Sequence, residues 1–344
     1  MDKYVSVNNE VRYAENSVIE LIDHKVLARD GFHNAFPSLC RFKNALFTAF
    51  RRGTAHRGQG DGKIIICRSD DEGSSWQETA CISTEHDMRD PFIFAAGNEL
   101  MLYSCGLYEL PEGGFYKYLY TYSSSDGVNF TEFTSSGLLE NSFFWGCAAY
   151  RDGFIATAYH KVGDNIRQTR PRLYFSKDAR NWEKFTDLPD GNEVSLTVDN
   201  TGELHCIVRY EEGDMHPNYC SVSPDGTYKT IKLSLPMQGI MFEAVGDKFI
   251  IAARCWDWFD NDKTNHRIDM FVMDRSGKLT LQCTLPSGGD CSYGKCLPIG
   301  NNEYIMVYYS QHNYLGQLQQ VVNQNLSIVK RSNDMYVCRW KYNN

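Results

Sequence analysis

Ser69-Asp70-Asp71-Glu72-Gly73-Ser74-Ser75-Trp76 is the stretch on which the fold turns, because its skeleton keeps returning along the chain. It comes back as Ser124-x-Asp126-Gly127-x-x-Phe130, as Ser176-x-Asp178-x-x-x-Trp182 and as Ser223-x-Asp225-Gly226-x-Tyr228. The aspartates are about 55, 52 and 47 residues apart, and a degenerate copy, Asp274-x-x-Gly277, continues the step at about 49. A fixed period of this size marks a repeat architecture in which each copy is one supersecondary unit.

Each copy has the chemistry of a tight turn between two strands. The Asp side chain accepts hydrogen bonds from the turn backbone, Gly supplies a positive φ, and the aromatic packs back beneath. The flanks, such as Lys63-Ile64-Ile65-Ile66-Cys67 and Arg172-Leu173-Tyr174-Phe175, are short, apolar and β-branched or aromatic, as strands are. A second turn signal runs in counterphase at Lys43-Asn44, Gly97-Asn98, Asp152-Gly153, Thr201-Gly202, Gly246-Asp247 and Asn301-Asn302. Six such turns predict a six-bladed β-propeller, all-β, occupying residues 1–344 as one domain. Radial repetition leaves only short edges for a large β chain to protect. The blades are expected near 33–85, 86–140, 141–188, 189–235, 236–286 and 287–340. The strand-like Ser17-Val18-Ile19-Glu20-Leu21 is expected to complete the last blade and close the ring.

Composition agrees. With 344 residues, 42% of them hydrophobic and 13% aromatic, the chain has enough apolar surface for a large core. No apolar run approaches eighteen residues, and Met1-Asp2-Lys3-Tyr4 opens without the apolar core of a signal peptide. Most of the twelve cysteines sit singly inside strand-like runs, as reduced, buried residues do, so a cytoplasmic location is expected. A net charge of −8 argues against nucleic acid or an anionic membrane surface as partner, and leaves local arginines to hold any anionic ligand.

Propellers bind ligands where the inner strands converge, so functional side chains are expected at corresponding points of several blades. Glu193 and Arg209 begin and end a strand pair in blade 4, Arg267 opens a strand in blade 5, and Tyr293 follows Gly288-Gly289-Asp290-Cys291-Ser292 at the start of blade 6. At these residues, over about 33–312, the chain resembles the sialidase (neuraminidase) superfamily, whose Asp box, or BNR repeat, looks like the signature above. The order of motifs is similar too: Glu193, then Thr201-Gly202-Glu203-Leu204 with Arg209, then Gln238-Gly239, Arg267, and Tyr293 ahead of Val307-Tyr308-Tyr309.

The resemblance implies an exo-glycoside hydrolase that acts on a sugar acid with retention. Arg209 and Arg267 would belong to a cluster binding the substrate carboxylate, since a guanidinium fork matches a planar anion. A carboxylate nucleophile would be repelled there, and sialidases use a tyrosine instead. Tyr293 would be that nucleophile and Glu193 the base that activates it, because a phenol with a pKa of about 10 is weak at neutral pH.

The amino-terminal part departs from the family pattern. Ala35-Phe36 stands ahead of Pro37-Ser38-Leu39 where the resemblance calls for Arg-Ile, so one arginine of the cluster is missing; Arg51 or Arg52 is expected to replace its charge. The proton donor belongs in the loop 54–62, where His56 and Asp61 both qualify. Arg89 and Asp90, of Met88-Arg89-Asp90-Pro91, are expected to contact the sugar. A bacterial sialidase-like subgroup with similar HNAF, RDP and LPSGGD-x-SY segments adds Asp290 and His312 as pocket residues, and His33 and Asn34 could face the same pocket. No CxxC pair, HExxH motif or phosphate loop supports a metal or cofactor. Asp257, Asp260 and Asp262 read as a solvated turn more readily than a calcium loop, and Trp256 and Trp258 as rim or stacking residues. A small acidic saccharide is the expected partner. A glycan-binding propeller without catalysis, and a uronate-directed hydrolase or lyase, are the rival readings.

Overall fold

The computed structural model describes residues 10–56, 60–111, 114–162, 168–256, 266–314 and 332–343. Asp257, Asp260, Asp262 and Trp258 lie outside them. Two strands, β1 (Arg12–Tyr13) and β2 (Ile19–Ala28), come first in the chain but belong to the last two blades. Blade 1 is β3 (His33–Phe42), β4 (Ala45–Gly53), β5 (Lys63–Ser69) and β6 (Gln77–Ile82). Blade 2 is β7 (Asp87–Ala96), β8 (Glu99–Glu109), β9 (Phe115–Ser124) and β10 (Thr131–Glu132), and blade 3 is β11 (Phe143–Tyr150), β12 (Gly153–Lys161), β13 (Thr169–Ser176) and β14 (Glu183–Asp187). Blade 4 is β15 (Val194–Val198), β16 (Leu204–Val208), β17 (Asn218–Val222) and β18 (Tyr228–Lys232). Blade 5 is β19 (Gln238–Val245), β20 (Lys248–Cys255), β21 (Arg267–Met273) and β22 (Leu279–Leu285), and blade 6 is β23 (Ser292–Gly300), β24 (Glu303–Ser310) and β25 (Asp334–Tyr342). The ladders within these blades are antiparallel, isolated bridges such as His33↔Asn333 are parallel, and the six blades form a β-propeller. As expected, β2 completes blade 6, pairing with β25 from Ile19↔Tyr342 to Ala28↔Met335. The sequence reading did not foresee β1, which adds a fifth strand to the outer edge of blade 5 through Arg12↔Thr284.

The two turn signals occupy fixed places. The Ser-x-Asp turns join the third and fourth strands of blades 1 to 4, the degenerate Asp274 copy does the same in blade 5, and the counterphase turns join the first and second strands of all six. In the first, Asp71 accepts hydrogen bonds from Ser69 Oγ (2.8 Å), Ser75 N (2.8 Å) and Ser75 Oγ (2.6 Å), while Gly73 N donates to Ser69 Oγ (2.8 Å). These donors, Ser75 foremost, pull the Asp71 carboxyl down to about 2. Gly73 has φ +82°, and a Cβ there would lie 2.0 Å from Ile305 Cδ1 of blade 6, so the turn requires glycine both for its dihedral and for packing between blades.

The middle strands read as continuous apolar runs because neighbouring blades cover both faces. Leu100, Leu102 and Ile93 of blade 2 pack with Phe47, Ile64 and Ile66 of blade 1, all buried. Each such side chain contributes roughly 1.5–3 kcal/mol. All twelve cysteines are free thiols, and only Cys81 is exposed. Among the described residues no helix is long and apolar enough to cross a membrane.

Antiparallel alternation puts both turn series at one end of the propeller, and the starts of the innermost strands β3, β7, β11, β19 and β23 at the other. There these five strands slip register at corresponding places: Ala35/Ser38, Arg89/Phe92, Phe144/Gly146, Gln238/Met241 and Ser292/Lys295. Four of the bulges hold a residue at positive φ: Phe36 (59°), Asp90 (50°), Gly239 (55°) and Tyr293 (50°). A bulge bends its strand and re-aims a side chain. Glu243 of β19 lies within electrostatic reach of Lys295 of β23, whose Nζ is 4.9 Å from the Phe92 ring centre.

Burial pushes the Glu243 carboxyl up to about 7 against the pull of Lys295. A raised folded pKa contributes stability that is fully present below the ordinary 4.5 and is lost as pH rises through about 7. Glu243→Gln is therefore expected to flatten the fall in denaturant midpoint between those two pH values; wild-type and variant profiles that run parallel would refute the assignment.

Candidate active site

Three groups from two blades meet at the mouth of the channel. Tyr293 Oη, on the bulge of β23, donates to Glu193 Oε1 (3.0 Å) and accepts from Arg209 Nη1 (3.2 Å), and Arg209 is also ion-paired with Glu193 and Glu211. Glu193 and Arg209 flank the β15–β16 pair and are held together by backbone, since Arg209 N donates to Glu193 O (2.9 Å). Burial raises the Glu193 carboxyl above its ordinary value despite Arg209. Burial, with the Glu193 charge adding to it, raises the Tyr293 phenol as well. Glu193 Oε2 and Arg209 Nε are buried without a hydrogen-bond partner.

The wall around this group comes from the other bulges. Phe36, Asp90, Trp145, Ser195 and Lys295 line the same cavity as Tyr293. The Phe36 ring stands edge-on to Tyr293 at 5.5 Å and to His56 at 5.2 Å, Trp145 meets Tyr293 at 5.7 Å, and Tyr309 stacks parallel to it at 6.1 Å. Arg89 lies 4.8 Å over the Phe36 ring and donates to Asp90 Oδ2 (2.7 Å), while Asp90 Oδ1 is buried without a partner.

Asp290 anchors a second group beside the first. Its Oδ2 accepts from His33 Nε2 (2.9 Å), His56 Nδ1 (2.8 Å) and Asn333 Nδ2 (3.2 Å), its Oδ1 accepts from Tyr309 Oη (3.0 Å), and Arg254 Nη1 lies 3.7 Å away. Although burial opposes it, these partners hold the carboxyl well below the usual range.

The remaining residues singled out from the sequence take other places. Asp61 accepts from Thr54 N (2.9 Å) and closes its own loop. Arg51 is fully buried, donates to Asp87 Oδ1 (2.8 Å) and Ala55 O (2.6 Å), and anchors that loop from beneath. Arg52 pairs with Asp30 (2.8 Å) and Glu78 (3.1 Å). Arg267 pairs with Asp269 (2.9 Å) with its side chain 33% exposed, and His312 bonds Ser310 Oγ (2.9 Å) and packs on Tyr336. Asn34 donates to Asp30 (2.7 Å) at the seam with blade 6.

Sequence reasoning missed Arg254, whose guanidinium bonds Gln238 Oε1 (3.0 Å) and, with Asp290, faces the pocket side of blade 5. A signal existed: Arg254 lies at the end of the second strand of blade 5 as Arg209 does in blade 4, and it pairs across from Gln238. It also missed Trp145, Glu211, Tyr309 and Asn333, which no local motif distinguishes from core or rim residues.

Among known proteins, counterparts are found in the fold. No protein-family model matches the chain, and no curated protein matches it. A protein of unknown function from Dyadobacter fermentans superposes with a TM-score of 0.75 at 14% identity, covering 94% of this chain and 99% of that one. The Penicillium chrysogenum α-L-arabinanase complexed with arabinobiose superposes with a TM-score of 0.60 at 12% identity, covering 92% and 98%. The endosialidase of phage phi92 gives 0.61 at 10%, covering 94% and 69%. At these identities the likeness establishes the propeller fold.

The Tyr293–Glu193–Arg209 group makes a stability prediction. Arg209→Met leaves two carboxylates and a phenol without their guanidinium, at an expected cost of about 3–5 kcal/mol in denaturant unfolding. Adding Glu193→Gln to that variant is expected to recover part of the loss, and strictly additive effects would argue against the coupling.

Proposed function

We propose that this protein is a retaining exo-glycoside hydrolase acting on a carboxylate-bearing sugar, with Tyr293 as nucleophile. The observation that carries this reading is the hydrogen-bonded set of phenol, carboxylate and guanidinium in Tyr293, Glu193 and Arg209. A tyrosine nucleophile makes sense where the anomeric carbon carries an anion that would repel a carboxylate. Burial has made the phenol a weaker acid, so attack requires proton transfer to a neighbour; the same burial makes Glu193 a stronger base, matched to that task. Arg209 stabilises the phenolate as it forms. The substrate carboxylate would lie against Arg209 and Arg254, whose Nε atoms are buried without partners.

Of the two expected proton donors, His56 suits the role better. Its ring borders Phe36 at the pocket, its side chain is 45% exposed, and Asp290 orients it through Nδ1, leaving Nε2 for the leaving-group oxygen. Asp61 is committed to Thr54 N. His56 would protonate the departing oxygen and then take a proton from the water that releases the sugar from Tyr293. The saccharides named with the fold neighbours, arabinobiose among them, are consistent with a sugar ligand.

One observation favours a neutral sugar instead: each pocket guanidinium already has a carboxylate beside it, Arg209 with Glu193 and Glu211, Arg254 with Asp290, and Arg89 with Asp90. A panel of fluorogenic glycosides of sialic, glucuronic, galacturonic and neutral sugars separates the two. Release from an acidic sugar that is abolished in Tyr293→Phe and reduced roughly 10²–10⁴-fold in His56→Ala is the expected outcome. Turnover confined to neutral sugars, or full activity of Tyr293→Phe, would overturn the proposal.

A further inference from the structure

We propose that His33, His56, Asp290 and Asn333 form a binding site for one divalent transition cation of the zinc class, at the seam between blades 1 and 6. His33 Nε2 and His56 Nδ1 both point at a single oxygen, Asp290 Oδ2, at 2.9 and 2.8 Å, and the three atoms lie within 4.8 Å of one another. Bonds of about 2.0–2.2 Å to a tetrahedral cation set its ligand atoms roughly 3.3–3.6 Å apart, so the two nitrogen–oxygen separations must open by roughly 0.4–0.8 Å, within the reach of side-chain rotation, to admit one.

A second observation points the same way. Asn333 is fully buried, and its amide nitrogen stands 3.0 Å from His33 Nε2 as well as 3.2 Å from Asp290 Oδ2. If His33 Nε2 carries a proton for Asp290, it meets the Asn333 N–H donor to donor; if it does not, it meets the carboxylate acceptor to acceptor. Asn333 Oδ1, meanwhile, is buried with no partner at all. The two ends of an amide have nearly the same shape, so a half-turn of the side chain brings this oxygen to the cluster. A cation there resolves the conflict, because imidazole nitrogen, carboxylate oxygen and amide oxygen all become ligands.

The donor set selects the ion. Two imidazoles with one carboxylate suit zinc, nickel, copper or iron, whereas calcium requires six to eight oxygens. The exposed side of His56 gives the ion a path from the pocket, and the four side chains together complete a tetrahedral set. The other His-carboxylate group among the described residues, Asp199, Glu203 and His205, lacks this character because Arg275 already pairs with both carboxylates. An ion at Asp290 also removes the acceptor that orients His56, so occupancy and proton donation by His56 exclude each other.

Isothermal titration with Zn²⁺ alone, after chelator treatment, tests the site in the wild-type protein, Asp290→Asn, His56→Ala and Asp199→Asn. One ion per chain with a dissociation constant in the micromolar range or below is expected. Binding should weaken at least about tenfold in Asp290→Asn and in His56→Ala, and remain unchanged in Asp199→Asn. The partly exposed His56 makes His56→Ala the variant least able to disturb folding. No 1:1 binding, or binding that survives both substitutions or is lost in Asp199→Asn, would overturn the inference. Because the readout is heat of binding, the result does not depend on whether any glycoside is hydrolysed.

Discussion

Pairing of β2 with β25 closes the ring, and the pocket depends on that closure. The ladder from Ile19↔Tyr342 to Ala28↔Met335 brings blade 6 against blade 1, so that Asn34 N can donate to Asn333 O and Asn333 N to Phe32 O. Across this seam lie most of the contacts that shape one side of the site: His33 and His56 on Asp290, Phe36 on Tyr293, and Phe36 on Tyr309. Radial packing leaves the outer strand of each blade as an edge, and each blade face is covered by the next, which is why long apolar middle strands such as that holding Leu100–Tyr103 are buried away from any edge.

The bulges translate this closed scaffold into a site. Straight strands converging on an axis would present alternating side chains with no preference for the mouth. An extra residue bends five of the inner strands, and in four of them Phe36, Asp90, Trp145 and Tyr293 line the cavity; Phe36, Asp90 and Tyr293 hold the left-handed backbone conformation that non-glycine residues adopt only when surroundings enforce it. At the corresponding point in blade 5, Gly239 serves because a Cβ would fall 1.5 Å from Ser292 Oγ.

Charge in the pocket is buried in mutually satisfied sets. Removing ions from water is tolerable only when partners and hydrogen bonds replace the solvent. Glu193, Glu211, Asp90 and Asp290 each have a cation or several donors, while Glu193 Oε2, Asp90 Oδ1, Asn333 Oδ1 and the Nε atoms of Arg209 and Arg254 are among the buried atoms left without a partner.

What the sequence determined by itself was whatever local chemistry controls. The Ser-x-Asp turns and their counterphase partners are closed by hydrogen bonds between residues two to five apart, so their spacing alone counted the blades and placed their boundaries. Glu193 and Arg209 were legible for the same reason, as ends of one hairpin, and the order of motifs pointed to Tyr293. Tertiary structure decided the rest. Arg254 lies 3.7 Å from Asp290 while Arg267 pairs with Asp269, because the register Arg254↔Ile268 and Cys255↔Arg267 puts the two arginines on opposite faces of blade 5. His56 and Asp61 share one loop, and what separates them is Asp290, 234 residues from His56 along the chain. The gathering of His33, Asn333 and Asp290 joins residues up to 300 positions apart. No periodicity encodes such contacts, because they exist only once the ring has closed.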